Sequence, residues 1–177
     1  MMKIGVLSDT HFTDLVTGLT FLEYLSDGPF AGVDLIIHAG DIVHPDLLYC
    51  FDSKTVLGVR GNCDEVAPDL PEKRVQELAG FKVGIIHGWG GPNGIVHHVL
   101  SAFESVPLDI LIFGHSHYPL CRRSGDLLLF NPGSATDRRD APYHSVGILE
   151  LGDSVKGTIV NLDTHSGAMT EFTGAYL

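Results

Sequence analysis

Cysteine is scarce in this chain of 177 residues, which has only Cys50, Cys63 and Cys121. Their odd number and irregular spacing argue against a disulfide framework or a CxxC zinc site and suit a reducing compartment, so we expect a cytoplasmic protein. Long apolar runs are missing too, since none approaches the roughly 20 residues that span a bilayer. Residues 1–9 are predicted to form a strand and not a signal peptide, and we expect no membrane partner.

Basic residues are also few, because 11 Lys and Arg stand against 22 Asp and Glu, for a formal net charge of −11. Such a protein repels a polyanion at long range, which disfavours nucleic-acid binding. Two bound divalent cations would reverse this locally by adding about four positive charges at one point. With 44% hydrophobic residues and no linker or low-complexity segment, the chain is predicted to form one domain, residues 1–177.

In the first third of the chain, strand, polar loop motif and helix repeat in turn. Such a repeat predicts parallel strands joined by crossovers, which bind ligands at the carboxyl ends of the strands. Apolar runs predict strands over residues 3–9, 34–38 and 55–59, and leucine spacing predicts a helix from residue 15 to Gly28-Pro29, capped by Thr13 or Asp14, and a short helix over 45–51.

The remaining sequence predicts hairpins more than crossovers. Paired strands are expected over 74–78 and 81–86, over 120–123 and 127–130, and over 146–151 and 155–162, with a helix over 95–103 and a buried strand over 109–113. One α/β domain with two facing sheets and outer helices accounts for the whole pattern.

Short polar motifs directly follow five of the predicted apolar strands. They are Asp9-Thr10-His11, Gly40-Asp41, Gly61-Asn62-Cys63-Asp64, His87-Gly88 and Gly114-His115-Ser116-His117. Carboxylates, an amide and imidazoles at strand ends can converge on one point, and the neighbouring glycines would let the backbone turn sharply there. Such donors most often hold two divalent ions, and two metals in a site lined by oxygen and nitrogen indicate phosphate-ester hydrolysis.

Taken singly, several motifs have simpler explanations. Asp9 and His11 could be a helix cap and a surface histidine, Asp41 a plain turn residue, and Asn62 a turn residue with left-handed backbone. The pair of histidines after Ile-Leu-Ile-Phe-Gly is costly to bury and carries the strongest local signal. Outside the motifs, His38 is expected to be a satisfied buried or supporting histidine. His97, His98, Arg138 and Arg139 could face either substrate or solvent.

The order of the motifs, followed by Asn131-Pro132-Gly133-Ser134, resembles the calcineurin-like metallophosphoesterases over roughly residues 2–162. It looks closest to the small bacterial and archaeal single-domain phosphodiesterases of that superfamily. The resemblance implies a four-layer α-β-β-α sandwich of two facing mixed β-sheets flanked by helices. It also implies a phosphodiesterase that cleaves a small or nucleotide-like phosphate ester with two divalent ions, Mn²⁺ or else Ni²⁺, Fe²⁺, Co²⁺ or Zn²⁺. Homo-oligomers are compatible with this prediction.

The resemblance also assigns roles to individual positions. One metal would take Asp9, His11 and His117, the other Asn62, His87 and His115, and Asp41 would bridge them. The expected catalytic set is Asp41, Asn62, Cys63, Asp64 and His87, in which Asp64 orients the loop or its neighbour.

Two positions depart from the family pattern. Cys63 stands where many members have a histidine that is taken to protonate the leaving group, which predicts weak activity on poor leaving groups and a preference for diesters. Trp89 replaces a common histidine and could stack on a base or simply line the rim. The alternative function is a binding scaffold, the role of a retromer subunit that resembles this family. A nuclease is disfavoured by the acidic charge.

Overall fold

The computed structural model describes residues 1–51, 54–91 and 93–164, and the backbone of residues 169–170. No helix in these ranges is long and apolar enough to cross a lipid bilayer. The strands are β1 (Met2–Leu7), β2 (Leu35–His38), β3 (Thr55–Gly58), β4 (Lys73–Leu78), β5 (Phe81–Ile86), β6 (Ile110–Ile112), β7 (Leu120–Ser124), β8 (Leu127–Asn131), β9 (Ser145–Leu151), β10 (Val155–Asn161) and β11 (Met169–Thr170). The helices are α1 (Leu15–Asp27) and α2 (Ile95–Ser101), with a 3₁₀ helix at Pro45–Tyr49.

The strands form two mixed sheets. The first sheet has the order β11-β10-β9-β1-β2-β3 and the second the order β4-β5-β6-β8-β7. Strands β1, β2 and β3 run parallel, as do β5, β6 and β8. The predicted crossovers in the first third and the three predicted hairpins are therefore confirmed.

Alternating side chains on the strands build three hydrophobic clusters. In β2, Ile37 enters the cluster between the two sheets, while Ile36 enters the cluster under α1. In β6, Ile110 likewise faces the space between the sheets, and Leu111 packs with α2. Strands covered on both faces in this way read as continuous apolar runs. The result is the predicted four-layer α-β-β-α sandwich.

The helix boundaries follow local chemistry. Asp14 caps α1, because its carboxylate accepts a hydrogen bond of 2.8 Å from the Thr17 amide. Gly28 caps the other end, as predicted. Helix α2 ends at Ser101, earlier than expected, although Phe103 beyond it is still buried with the same cluster. The predicted short helix is a 3₁₀ helix that opens with Pro45 and stops before residue 51.

The first strand is shorter than predicted. It ends at Leu7 because Asp9 has a φ of 53°, which is incompatible with extended backbone. Asp9 and His11 therefore stand on a loop beyond the carboxyl end of β1. Strands β2, β3, β5 and β6 end beside this loop in the same way, so their following segments gather at one edge of the sandwich.

A candidate dinuclear metal centre

Seven polar side chains predicted as ligands come together at this edge. Asp9, Asp41, His87 and His117 are buried, whereas His11 and His115 are partly exposed and Asn62 is exposed. They form two groups of three donors with Asp41 between them, and Oδ1 of Asp9 in the first group also lies 3.8 Å from Nε2 of His87 in the second.

The first group consists of Asp9, His11 and His117. Nε2 of His117 lies 3.3 Å from Oδ1 of Asp9 and 3.3 Å from Nε2 of His11. The other nitrogen of His117 donates a hydrogen bond to the Asp137 carbonyl, so neutral His117 presents a lone pair at Nε2. Oδ1 of Asp9 is buried with no hydrogen-bond partner among the described residues. A buried carboxylate oxygen that faces imidazole nitrogens is suited to act, together with those nitrogens, as a ligand of a cation.

The second group consists of Asn62, His87 and His115. Nδ1 of His87 donates to the Ala39 carbonyl at 2.8 Å, and Nε2 of His115 donates to the Gly90 carbonyl at 3.0 Å. The remaining nitrogens, Nε2 of His87 and Nδ1 of His115, face each other at 3.3 Å, and Oδ1 of Asn62 lies 3.0 Å from the latter. Three acceptors that point at one another require a cation between them, either a proton or a metal ion.

Asp41 stands between the two groups. Its Oδ2 lies 3.4 Å from Nε2 of His87 and 3.7 Å from Nε2 of His11. Its Oδ1 accepts the Cys63 amide at 2.8 Å, which fixes the carboxylate plane. One carboxylate with an oxygen facing a histidine of each group is a suitable bridge between two ions.

The charges of the site favour cations. Burial raises the pKa of Asp41, but hydrogen bonding with His87 and Cys63 and the charge of His87 outweigh it, so the pKa lies well below its ordinary value. Burial lowers the pKa of His87, but the contacts with Asp41 and the charges of Asp9 and Asp41 raise it overall. Burial also lowers the pKa of His117, but the neighbouring Asp9 carboxylate raises it overall. Anionic carboxylates that draw protons onto the imidazoles would equally attract divalent metal ions, and the residues present fit a metal centre.

Asp64 organises the loop that carries Asp41. One carboxylate oxygen accepts the amides of Asp41 and Gly61 at 2.9 and 2.8 Å. The other accepts the amides of Ile42 and Val43, both at 2.7 Å. These bonds hold the backbone of the Asp41 loop, and the catalytic contribution expected of Asp64 stays a prediction.

Left-handed backbone is concentrated in the cluster. The φ angles are 53° for Asp9, 46° for His11, 56° for Asp41, 65° for His115 and 58° for His117. Asp and His adopt this conformation more readily than most residues, although it still stores strain, as functional sites often do. The sequence carried no direct sign of it beyond the neighbouring glycines.

Those glycines serve two purposes. Gly40 has a φ of 94°, so it makes the sharp turn that was predicted. Gly61 has no positive φ, but a Cβ there would overlap Oδ1 and the amide of Asp41. Glycine at that position is needed for space, because Asp41 packs directly on the backbone.

Cys63 lies at the exposed rim of the cluster. Its sulfur accepts a hydrogen bond of 3.3 Å from the Asn62 amide group, which turns the amide oxygen toward His115. Its Sγ also lies within 4.8 Å of ligand atoms of His11 and Asp41. Partial desolvation and the Asp41 carboxylate raise the pKa of the thiol to about 11, so it stays protonated at neutral pH.

The histidine left unassigned in β2 is satisfied by hydrogen bonds. Nδ1 of His38 accepts the Gly40 amide at 3.2 Å, so Nε2 carries the proton and donates to Thr10 at 3.0 Å. Burial lowers the pKa of His38 to about 4, which keeps the ring neutral. This confirms the structural explanation of His38 given above.

Sequence reasoning missed several residues that hold the ligands in place. Ser8 donates to Oδ2 of Asp9 at 2.6 Å, and Ser134 donates to the Asp9 carbonyl at 2.7 Å. Asn131 donates to the Gly114 carbonyl at 2.9 Å, beside His115. The Asn-Pro-Gly-Ser segment had been noted only as part of a resemblance, and its place in space was the missing information.

Comparison with known proteins agrees with this geometry. Residues 2–154 match the calcineurin-like phosphoesterase superfamily domain. A probable metallophosphoesterase of Methanothermobacter thermautotrophicus is 39% identical over 137 residues, which cover 76% of this chain and 78% of that protein. A phosphodiesterase of Methanocaldococcus jannaschii is 30% identical over 150 residues, which cover 75% of this chain and 83% of that protein.

A solved structure of Vps29 from Entamoeba histolytica, in a single-mutant form, has a TM-score of 0.72 at 27% identity and covers 96% of each chain. The wild-type Vps29 of the same organism was solved in complex with zinc, with a TM-score of 0.67 at 26% identity. Motif order, two-sheet fold and sequence identity converge, and the chain belongs to the calcineurin-like phosphoesterase superfamily, as a member of its small archaeal and bacterial single-domain type.

Proposed function

We propose that this chain is a metal-dependent phosphodiesterase that hydrolyses a small or nucleotide-like phosphate ester. The observation that carries the proposal is the convergence of two groups of three donors on either side of the Asp41 carboxylate. Two divalent ions bound there would neutralise phosphate charge and activate water. Mn²⁺ is our first choice, and Ni²⁺, Fe²⁺, Co²⁺ and Zn²⁺ suit the same oxygen and nitrogen donors.

The proposed roles follow the two groups. Asp9, His11 and His117 would hold one ion, Asn62, His87 and His115 the other, and Asp41 would bridge them. The serine and carbonyl contacts described above keep these side chains oriented before substrate arrives. None of the three cysteines forms a disulfide among the described residues, which fits the cytoplasmic location that we propose with this function.

Substrate is proposed to enter from the side of Asn62 and Cys63. Both are exposed, whereas Asp9 and Asp41 form the buried floor of the cluster. Arg139 is a cation near this entrance, since its charge acts on both Cys63 and His117, and its Nε lies 3.6 Å from a carboxylate oxygen of Asp137. We assign it a phosphate contact in an otherwise acidic protein.

An aryl phosphodiester is expected to be hydrolysed by the Mn²⁺-loaded chain, and EDTA is expected to stop the reaction. A nitrophenolate is a stable anion that leaves without first gaining a proton. This substrate therefore tests the metal centre separately from any general acid. Release of p-nitrophenolate from bis(p-nitrophenyl) phosphate gives the rate, with p-nitrophenyl phosphate as the matched monoester, which should react more slowly. Rates equal to buffer with every one of the five metals would refute the proposed function.

Cys63→His is expected to raise turnover of alkyl phosphodiesters by at least about 10-fold, because imidazole is a far better proton donor at neutral pH than a thiol with a pKa of about 11. Turnover of aryl esters should change little. Cys50→His, at another exposed cysteine, is the matched control. Unchanged rates of Cys63→His on both alkyl monoesters and alkyl diesters would contradict the proposal that residue 63 stands at the position of the proton donor.

A scaffold without catalytic activity is the second candidate, and the likeness to Vps29 structures favours it. A scaffold does not need metal-binding side chains, yet all seven side chains predicted to bind metal are present in this chain and lie close together. The two candidates separate on one comparison. A scaffold predicts no hydrolysis by the wild-type chain, and partner binding that is unchanged in Asp41→Ala.

A further inference from the structure

The loop after β5 contacts the ligand cluster through a backbone carbonyl. The Gly90 carbonyl oxygen lies 3.0 Å from Nε2 of His115 and accepts its proton. That hydrogen bond leaves Nδ1 of His115 facing Asn62 and His87. The position of the Gly90 carbonyl therefore decides which His115 nitrogen is free for a cation.

His98 of α2 holds this loop by two contacts. Its Nδ1 donates to the Trp89 carbonyl at 2.9 Å. Its ring also stacks on the Trp89 indole, with centroids 5.5 Å apart and planes 4° from parallel. A Cβ at Gly90 would lie 2.8 Å from the His98 ring, and φ at Gly90 is 89°, so only glycine fits against the ring.

Helix α2 provides a rigid base for His98. Ile95, Val99 and Phe103 are buried against the outer face of the second sheet. The start of the loop rests on the same helix, because a Cβ at Gly88 would lie 3.2 Å from both Ile95 and Val99. His98 thus connects a helix that is packed on the second sheet to the segment of Trp89 and Gly90.

We propose that His98 is a positioning residue of the metal centre, which acts on His115 through two successive carbonyls. The Trp89 carbonyl accepts from His98, and the Gly90 carbonyl accepts from His115. Loss of the first bond frees the loop, and the second bond then no longer selects the His115 nitrogen. The inference rests on the proposed function, because it takes His115 as a metal ligand.

Trp89 makes the coupling observable. It is the only tryptophan of the chain, and it is 48% exposed beside His98. A metal ion bound by His115 should fix the Gly90 carbonyl and, through it, the stacked indole. We therefore expect Zn²⁺ to change Trp89 emission in the wild-type chain and not in His98→Ala.

The test is a calorimetric titration of the full chain with Mn²⁺. His98→Ala should lower the affinity for one of the two ions by about 10- to 100-fold, which is the usual effect of removing a group that orients a ligand. The affinity for the other ion should stay within threefold of wild type. His98→Asn keeps a donor near Nδ1 and should recover most of the affinity. His98→Phe keeps the ring alone and should not. His97→Ala, at the exposed neighbour on the same helix, is the control.

Each outcome decides a separate point. A wild-type chain that binds no divalent ion overturns the proposed function together with this inference. If the wild type binds two ions and His98→Ala binds both with affinities within twofold of wild type, this inference is overturned and the proposed function is not. An equal loss at both ions that parallels a fall in melting temperature indicates a merely structural role. If His98→Ala does not fold, equal affinities of His98→Asn and His98→Phe contradict the proposal.

Discussion

Asp41→Asn is expected to lower kcat/KM on an aryl phosphodiester by more than about 100-fold, since even residues that only orient a ligand typically contribute 10- to 100-fold. Asparagine keeps Oδ1 as the acceptor for the Cys63 amide, so the loop should stay folded. It replaces the oxygen between His87 and His11 with an amide nitrogen, which cannot bind a metal ion or carry the bridging charge.

Metal content should fall with activity. We expect two Mn²⁺ per wild-type chain and one or none per Asp41→Asn chain, measured by elemental analysis after dialysis. Asp46→Asn, an exposed aspartate in the neighbouring 3₁₀ helix, removes the same charge and should retain both ions. An Asp41→Asn protein with two ions and turnover within threefold of wild type would show that Asp41 is not a bridge.

Asp64→Ala is expected to lower the free energy of unfolding by about 2–4 kcal/mol, because four backbone amides lose a charged acceptor at once. Asp64 is only partly buried, so water replaces some of these bonds and the effects do not simply add. One of the four amides belongs to Val43, whose φ of 67° is costly for a β-branched residue. The Asp64 carboxylate offsets that strain.

Urea unfolding measures this loss. Asp64→Asn should lie between wild type and Asp64→Ala, since one oxygen still accepts while the amide group faces two donors. Asp14→Asn is the matched control, because asparagine caps a helix as well as aspartate does and should stay within about 0.5 kcal/mol of wild type. The same urea midpoint for Asp64→Ala and wild type would contradict the assigned role of Asp64.

Much of the fold could be predicted because its signals are local. Each buried strand reads as an apolar run, and the cap at Asp14 and the glycine at residue 28 mark α1 directly. The candidate ligands could be proposed for the same reason, since each polar motif stands where a buried strand stops, and their role as metal ligands stays a prediction.

The supports of the site could not be predicted, because they depend on contacts between distant segments. Ser134 reaches the Asp9 carbonyl across 125 positions of the chain, and His115 meets Asn62 across 53. His98 was expected to face either substrate or solvent, and nothing in the helix pattern indicated that it would stack on Trp89. Left-handed φ angles at five candidate ligand positions were equally hidden, because nothing in the local sequence except the neighbouring glycines indicates them.

Those left-handed positions limit how this site can change by mutation. Asparagine, aspartate, histidine and glycine tolerate such φ angles, and branched aliphatic residues do not. Backbone sterics and the proposed metal binding thus favour nearly the same residue types at five positions, Asp9, His11, Asp41, His115 and His117. If the proposed catalysis were lost, substitutions to asparagine or glycine at these positions would therefore leave the shape of the loops unchanged.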